Sequence, residues 1–208
     1  MGCFKKLWSS AYVYDIMYPK IILQTRYAFR GEFMKELFII DLMDYGENDN
    51  SVFRRPSARA VIIKNSKIAL VYSKKENYYK FPGGGIKANE DMKTALIREV
   101  REEVGLVVIP DSIMEFGSVM RRQKSNYLPD TVFEQENFYF FCDTEDRAVG
   151  QELDDYEKEA EFSLKFTDID HAIDTNDAYH SEDRFNEIMI KREKRVLQMV
   201  REYLQDNT

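Results

Sequence analysis

Phe81-Pro82-Gly83-Gly84-Gly85, followed almost at once by an amphipathic, glutamate-rich run to Leu106, constrains this chain more than any other stretch. Three glycines behind a proline reach backbone conformations closed to other residues, so a tight loop is expected there. Asn89 then offers an N-cap, with Glu90 and Asp91 in a first turn where the helix dipole favours negative charge. The periodicity predicts a helix over Asn89–Val104. At about 100° per residue, Met92, Leu96, Ile97, Val100 and Val104 share one side. Gly105, just past the last turn, ends it. A strand–loop–helix unit of this kind, set among further strands and two or three helices, implies an α/β fold.

Glu99, Glu102 and Glu103 crowd a neighbouring side of the same helix. On a solvated helix such like-charge pairs cost only tenths of a kcal/mol each, so a wet acidic face is one reading. The other is a site for hard divalent cations, whose ligands are mostly carboxylate oxygens. The spacing decides. Gly84, Glu90, Arg98, Glu99, Val100, Glu102, Glu103, Gly105 and Leu106 reproduce G-x5-E-x7-R-E-U-x-E-E-x-G-U, with U aliphatic, without a mismatch. At ordinary residue usage the seven fixed positions match by chance on the order of once in 10⁸ windows. The stretch resembles the Nudix box, and Tyr79-Lys80-Phe81-Pro82-Gly83-Gly84 resembles the usual lead-in to it. The resemblance covers roughly residues 57–175.

The resemblance implies the Nudix fold, an α/β/α sandwich around a mixed β-sheet. It also implies hydrolysis of a nucleoside diphosphate linked to another moiety, with Mg²⁺ or Mn²⁺ as cofactor. Residue by residue, Glu102 and Glu103 match the metal ligands, and Glu99 a ligand or the catalytic base. Gly84 adds a backbone oxygen. Arg98 matches an arginine that is mainly structural and pairs with a carboxylate such as Glu90. In some relatives the base comes instead from a loop before the last strand, which here offers Glu157, Glu159 and Glu161. Glu136 is a further candidate ligand. Substrate-binding candidates are Arg54, Arg55, Arg59, Tyr79, Arg121, Arg122 and Lys124. Each of the cations reads more readily as a surface charge, and Tyr79 equally as a residue burying a sheet edge.

Composition narrows the partners. The chain has 208 residues and a net charge of −7, which disfavours general nucleic-acid or anionic-membrane binding and demands local positive charge wherever phosphate is handled. Two cysteines make no disulfide framework, and two histidines make a His-based zinc site a poor fit. Cys142 reads as a buried thiol. No apolar run is long enough for a membrane span. Lys5-Lys6 hints at a signal peptide, but Asp15 interrupts the apolar stretch. Met1-Gly2-Cys3 lacks the Ser or Thr at position 6 that an acylated terminus wants. A cytoplasmic protein is expected.

The expected domains are an N-terminal extension over 1–55, a Nudix domain over 56–178 and a C-terminal docking helix over 179–208. Met34 is a candidate alternative translation start, with 1–33 upstream of it. Strands are expected at Lys20–Phe29, Leu37–Leu42, Ala58–Lys64, Lys67–Tyr72, Ile113–Arg122, Val132–Cys142 and Glu161–Ile169. Asn65-Ser66 marks a hairpin. Lys74–Lys80 and the acidic Asp143–Glu161 read as loops, the second with a short helical tendency. Asp170–Asp174 reads as a short helix. Ser181–Leu204 is amphipathic, with Phe185, Ile188, Met189, Val196, Val200 and Leu204 at helical spacing. Its apolar surface, with that of the aromatic N-terminus, suggests a homodimer.

Two other functions compete with hydrolysis. A nucleotide-sensing Nudix module that regulates a partner without cutting would be expected to lose box carboxylates, and this chain keeps them all. An isomerase on the same fold needs Cys and His metal ligands that are scarce here.

Overall fold

The computed structural model describes residues 28–29, 32–49 and 51–207. The chain divides into two compact units, 1–34 and 35–208. Of the first, β1 (Ala28–Phe29) and β2 (Glu32–Phe33) form a short antiparallel pair. The expected strand from Lys20, except for its last two residues, and the expectations about the first residues lie outside the described residues. Among the described residues no helix is long and apolar enough to cross a membrane.

The second unit is a mixed α/β structure built on two sheets. The larger contains β3 (Glu36–Asp41), β11 (Met114–Lys124), β12 (Thr131–Phe141), β5 (Ser57–Val61) and β9 (Gly83–Gly85), in that spatial order. β3 runs parallel to β11, β11 antiparallel to β12, β12 parallel to β5, and β5 antiparallel to β9. β4 (Ser51–Arg54) pairs with the first residues of β12, ahead of β5 on the same edge. The second sheet is antiparallel: β14 (Phe162–Thr167), β7 (Lys67–Ser73) and β6 (Ile63–Lys64), with β8 (Tyr78–Lys80) also on β7. β10 (Leu106–Val108) and β13 (Thr144–Ala148) form a separate pair.

Four helices complete the unit: α1 (Met92–Val104), α2 (Asp155–Glu159), α3 (Ile169–Asp177) and α4 (Arg184–Asp206). Phe38, Val61, Leu70, Phe81, Val119 and Tyr139 of the strands and the box lead-in form one core with Ala172 and Ile173 of α3 and with Val196, Leu197 and Val200 of α4. Ala58, Ala60, Phe138 and Phe140 alternate with that set and are buried as well, so both faces of β5 and β12 are covered. α1 packs on β5, β9, β10 and β14. It buries Met92, Ala95, Leu96, Val100 and Val104.

Several local expectations shift. The helix cap is Asp91 rather than Asn89, and its carboxylate accepts the Lys93 and Thr94 amides at 3.0 and 3.1 Å. Asn89 has φ +63° and Glu90 precedes the helix. Gly105 ends it at φ +67°, donating to the Arg101 carbonyl. Asn65 and Ser66 have φ +51° and +60°, as a two-residue primed hairpin turn requires. The glycine run pairs as β9 instead of forming an open loop. β8 and β13 fall in segments read as loops.

Gly83 shows why the run must be glycine. Its φ is +134°, and a Cβ there would stand 2.1 Å from the Ala58 carbonyl oxygen, a backbone atom that cannot move aside. Gly83→Ala should therefore cost about 3 kcal/mol or more. Gly85→Ala, whose Cβ would meet only Arg55 Nε at 3.8 Å, should cost about 1 kcal/mol at most. Urea midpoints of the two variants measure the contrast, and equal midpoints would refute the clash.

Candidate active site

The glutamates of α1 do not point at one spot. Arg98 organises the outer group. Its Nε and Nη2 donate to Glu90 at 2.7 and 2.8 Å, and Nη2 also donates to the Gly85 carbonyl at 3.1 Å. Its Nη1 donates to Glu99 at 2.6 Å and Glu102 at 3.1 Å. Glu90 thus ties the segment before the helix to its second turn. Glu99 and Glu102 converge on a single cationic nitrogen.

Gly84 makes room for this arrangement. A Cβ on it would lie 2.3 Å from Glu99 Oε2 and 2.8 Å from Oε1. Glu99 is largely buried, and this burial raises its pKa despite the opposing Arg98.

Glu103 turns inward and is 3% exposed. Its Oε1 accepts Lys80 Nζ at 2.7 Å and its Oε2 accepts the Gly83 amide at 2.8 Å. Burial alone would raise its pKa, yet Lys80, Arg59 and the Gly83 N–H together hold it below the ordinary value. Glu157 of α2 lies beside this pair, its Oε2 accepting the Asp154 amide at 2.8 Å. Burial first, then the negative charge of Glu103, push the Glu157 pKa up to about 7.

Of the acids in that loop, Glu157 alone is buried. Glu159 is exposed and pairs with Lys75 at 3.4 Å, and Glu161 is exposed and pairs with Lys74 at 3.2 Å. Glu136 accepts the Ser118 hydroxyl at 3.1 Å across the β11–β12 ladder.

The cations proposed from sequence scatter. Arg54 and Arg122 share Glu134 at 3.0 and 3.1 Å, and Lys124 pairs with Asp49 at 3.4 Å. Arg55 is exposed. Two of them are not surface charges. Arg59 is buried, and its Nη1 donates to the carbonyls of Phe81 and Gly83, so it supports the glycine strand from below. Arg121 has no exposure, because its position on β11 faces inward. Its guanidinium stacks on the Phe185 ring of α4, 4.1 Å from the centroid. Burial and nearby Arg192 press its pKa down to about 9. Tyr79 does not present a ring for base stacking. It is buried against Tyr72, with ring centroids 4.9 Å apart.

The residues that sequence reasoning missed are those that hold the lead-in. Asn176 of α3 accepts from the Tyr79 amide and donates to the Tyr79 carbonyl, each at 2.8 Å. Glu193 of α4, fully buried, accepts the Phe81 amide at 2.9 Å and the Tyr139 hydroxyl at 3.3 Å, and pairs with Arg192 at 2.6 Å. One signal for Glu193 existed: it falls between Met189 and Val196 on the apolar stripe of α4, where a charge needs a reason.

Among the described residues no three acidic, histidine or cysteine side chains stand close enough together to hold a metal ion. Glu99 and Glu102 nonetheless form a hard-oxygen pair, both turned toward Arg98 Nη1, with Glu99 against the cradle left by Gly84. This donor set fits a divalent ion such as Mg²⁺.

Residues 53–185, more than half of the chain, match the family model described as the NUDIX domain, and the chain belongs to the NUDIX hydrolase family. It is 42% identical over 53 residues to an 8-oxo-dGTP diphosphatase of Buchnera aphidicola subsp. Schizaphis graminum (strain Sg), a match covering 24% of this chain and 41% of that protein. It is 41% identical over 54 residues to an RNA pyrophosphohydrolase of Marinomonas sp. (strain MWYL1), covering 25% and 33%. The chain thus spans less than half the length of these curated relatives. Among solved structures, the MutT protein of Bacillus halodurans superposes with a TM-score of 0.47 at 17% identity, over 66% of this chain and 80% of that one.

Proposed function

We propose that the chain hydrolyses a pyrophosphate bond in a nucleoside diphosphate linked to another moiety, with Mg²⁺ or Mn²⁺ as cofactor. The observation that carries this reading is the pair of carboxylates, Glu99 and Glu102, that Arg98 Nη1 gathers on one face of α1, with Glu99 against Gly84. In this reading Glu99, Glu102 and the Gly84 carbonyl hold the ion. A divalent ion held there would supply positive charge against the phosphates and lower the pKa of a water. Arg98, anchored by Glu90 and Gly85, keeps the two carboxylates oriented. Glu157 accepts the proton of the attacking water, because it is buried beside Glu103 with a pKa drawn toward neutrality. Glu99 is the alternative base.

The relatives' names favour an 8-oxo-purine nucleoside triphosphate over an RNA end, since a net charge of −7 opposes RNA binding. A cytoplasmic homodimer is part of the same proposal, with the mass in solution as its test.

The test is a nucleotide screen with Mg²⁺ or Mn²⁺, scoring phosphate after coupled phosphatase treatment. Chelation should abolish turnover and either ion should restore it. Zinc dependence without response to Mg²⁺ would sink the metal assignment, and tight nucleotide binding without turnover would favour the sensing module. Glu157→Gln should lose about 10²–10⁴-fold in rate while keeping metal affinity. A base must be deprotonated, so wild-type rate should rise with pH toward and through about 7, a limb that the variant loses. Glu159→Gln and Glu161→Gln should stay near wild type. If all three variants do, the base lies in the box.

A further inference from the structure

Where the face of β5, β12 and β11 meets the first turns of α4 it is polar, although it is covered. Ser57, Asn137, Gln135 and Arg121 are all buried there. The register sets them in one line: Gly85 stands opposite Ser57, Ser57 opposite Asn137, and Gln135, two residues before Asn137, opposite Arg121. Strand alternation turns them all to the same side. From the glycine strand to β11 is three strand spacings, about 14 Å. A nucleotide covers such a span from its phosphates to the far edge of its base. At that far end the line closes on a cation that the protein does not fully satisfy. The Nε of Arg121 donates to Gln123 Oε1 at 2.7 Å and Nη2 to the Phe185 carbonyl at 3.4 Å, both neutral acceptors. Nη1 has no hydrogen-bond partner among the described residues. Arg192, itself engaged by Glu193 and Gln135, repels it. A buried donor without an acceptor is costly, so an apolar side chain would serve the fold better at this position.

One ring covers the guanidinium. Phe185 lies 4.1 Å from it and is itself partly exposed, and Phe133 stands next to Phe185 with ring centroids 5.9 Å apart. We propose that Phe185 holds the place of the nucleotide's base and gives way to it, and that Arg121 then donates to a carbonyl oxygen on the edge of that base. The inference rests on the hydrolase reading and adds the chemistry that the base must have. The free group on Arg121 is an N–H, so the ligand has to bring an acceptor. A 6-oxo or 8-oxo purine brings one, and arginine donates readily to the O6 and N7 edge of guanine. Adenine sets an amino group, itself a donor, at the same edge. A base in the place of Phe185 keeps Phe133 as an aromatic neighbour.

The probes are dGMP, 8-oxo-dGMP and dAMP, titrated calorimetrically into the full chain in chelator, with turnover of the three matching triphosphates in Mg²⁺ alongside. Wild type should bind each oxo nucleotide about tenfold or more tightly than dAMP. Arg121→Met keeps an apolar stem and loses the donors, so its three Kd values should draw together to within about threefold. Phe185→Ala uncovers Arg121 without touching the donors. It should bind the oxo nucleotides about tenfold more tightly than wild type and keep the preference over dAMP, since no ring has to be displaced. This second variant covers the case in which Arg121→Met does not fold.

A wild type without preference among the three, or an Arg121→Met variant that keeps the wild-type preference, overturns the inference, and turnover of any triphosphate leaves the hydrolase reading standing. Phe185→Ala binding the oxo nucleotides no more tightly than wild type overturns it as well, since the ring would then not occupy the place of the base. Preference lost with Arg121 but no turnover of any triphosphate separates the two in the other direction: the slot binds the base, and the hydrolase reading fails.

Discussion

Glu103→Gln should lower the stability of the metal-free protein by about 3–5 kcal/mol, the usual cost of removing one partner from a buried ion pair. Read from the helix alone, the same substitution is expected to leave folding intact or stabilise it slightly by relieving repulsion from Glu99 and Glu102. The structure reverses that expectation, because Glu103 faces Lys80 in a closed slot while the other two face Arg98. The variant strands an ammonium beside Phe162.

The pH dependence follows from the direction of the shift. The folded-state pKa of Glu103 is lowered, so its contribution is full above the unfolded value of 4.5 and is lost as pH falls through the folded value. Urea unfolding in chelator at neutral pH should show the deficit, and it should shrink on acidification. Removing both charges, as in Lys80→Met/Glu103→Leu, should recover much of it. A Glu103→Gln variant as stable as wild type would show that the pair contributes nothing.

Glu99→Gln and Glu102→Gln should behave in the opposite way. Each keeps its volume and a hydrogen-bond acceptor for Arg98, which Glu90 still pairs, so the fold should survive, with a change of about 1 kcal/mol or less at the partly exposed Glu102. Hydrolysis should fall by about 10²–10⁴-fold in each, because the cation position loses half of its carboxylate pair. Circular dichroism and the substrate found by the nucleotide screen give the two readouts. Full activity in both variants would end the metal-centre reading.

The family, the helix and its C-terminal stop were legible because fixed spacing, 3.6-residue periodicity and a left-handed glycine all act locally. The N-cap was misplaced by two residues because Asn89, Glu90 and Asp91 all look alike as starts. What separates them is tertiary: Glu90 is drawn off to Arg98. β8 escaped notice because three residues, Tyr78 to Lys80, are too few to show alternation inside a polar stretch.

The division of the glutamates into an outer pair and an inner one was illegible for another reason. Lys80 and Glu103 are far apart in sequence, and nothing near either residue signals the other. Arg121 and Arg122 are adjacent and look equivalent. Strand alternation buries one beneath Phe185 and sends the other to Glu134.

The lead-in and the glycine strand behind it are held by Arg59, Glu103, Asn176 and Glu193, side chains drawn from early, middle and late in the chain. On the ribosome, β5 and α1 emerge long before α4. Until Glu193 has left the exit tunnel the Phe81 amide has no acceptor from α4, and Arg59 lies against a sheet face that α4 does not yet cover. A nascent chain halted short of α4 would contain every box residue and still lack a fixed lead-in. The lead-in is therefore fixed only once α4 has docked on the sheet.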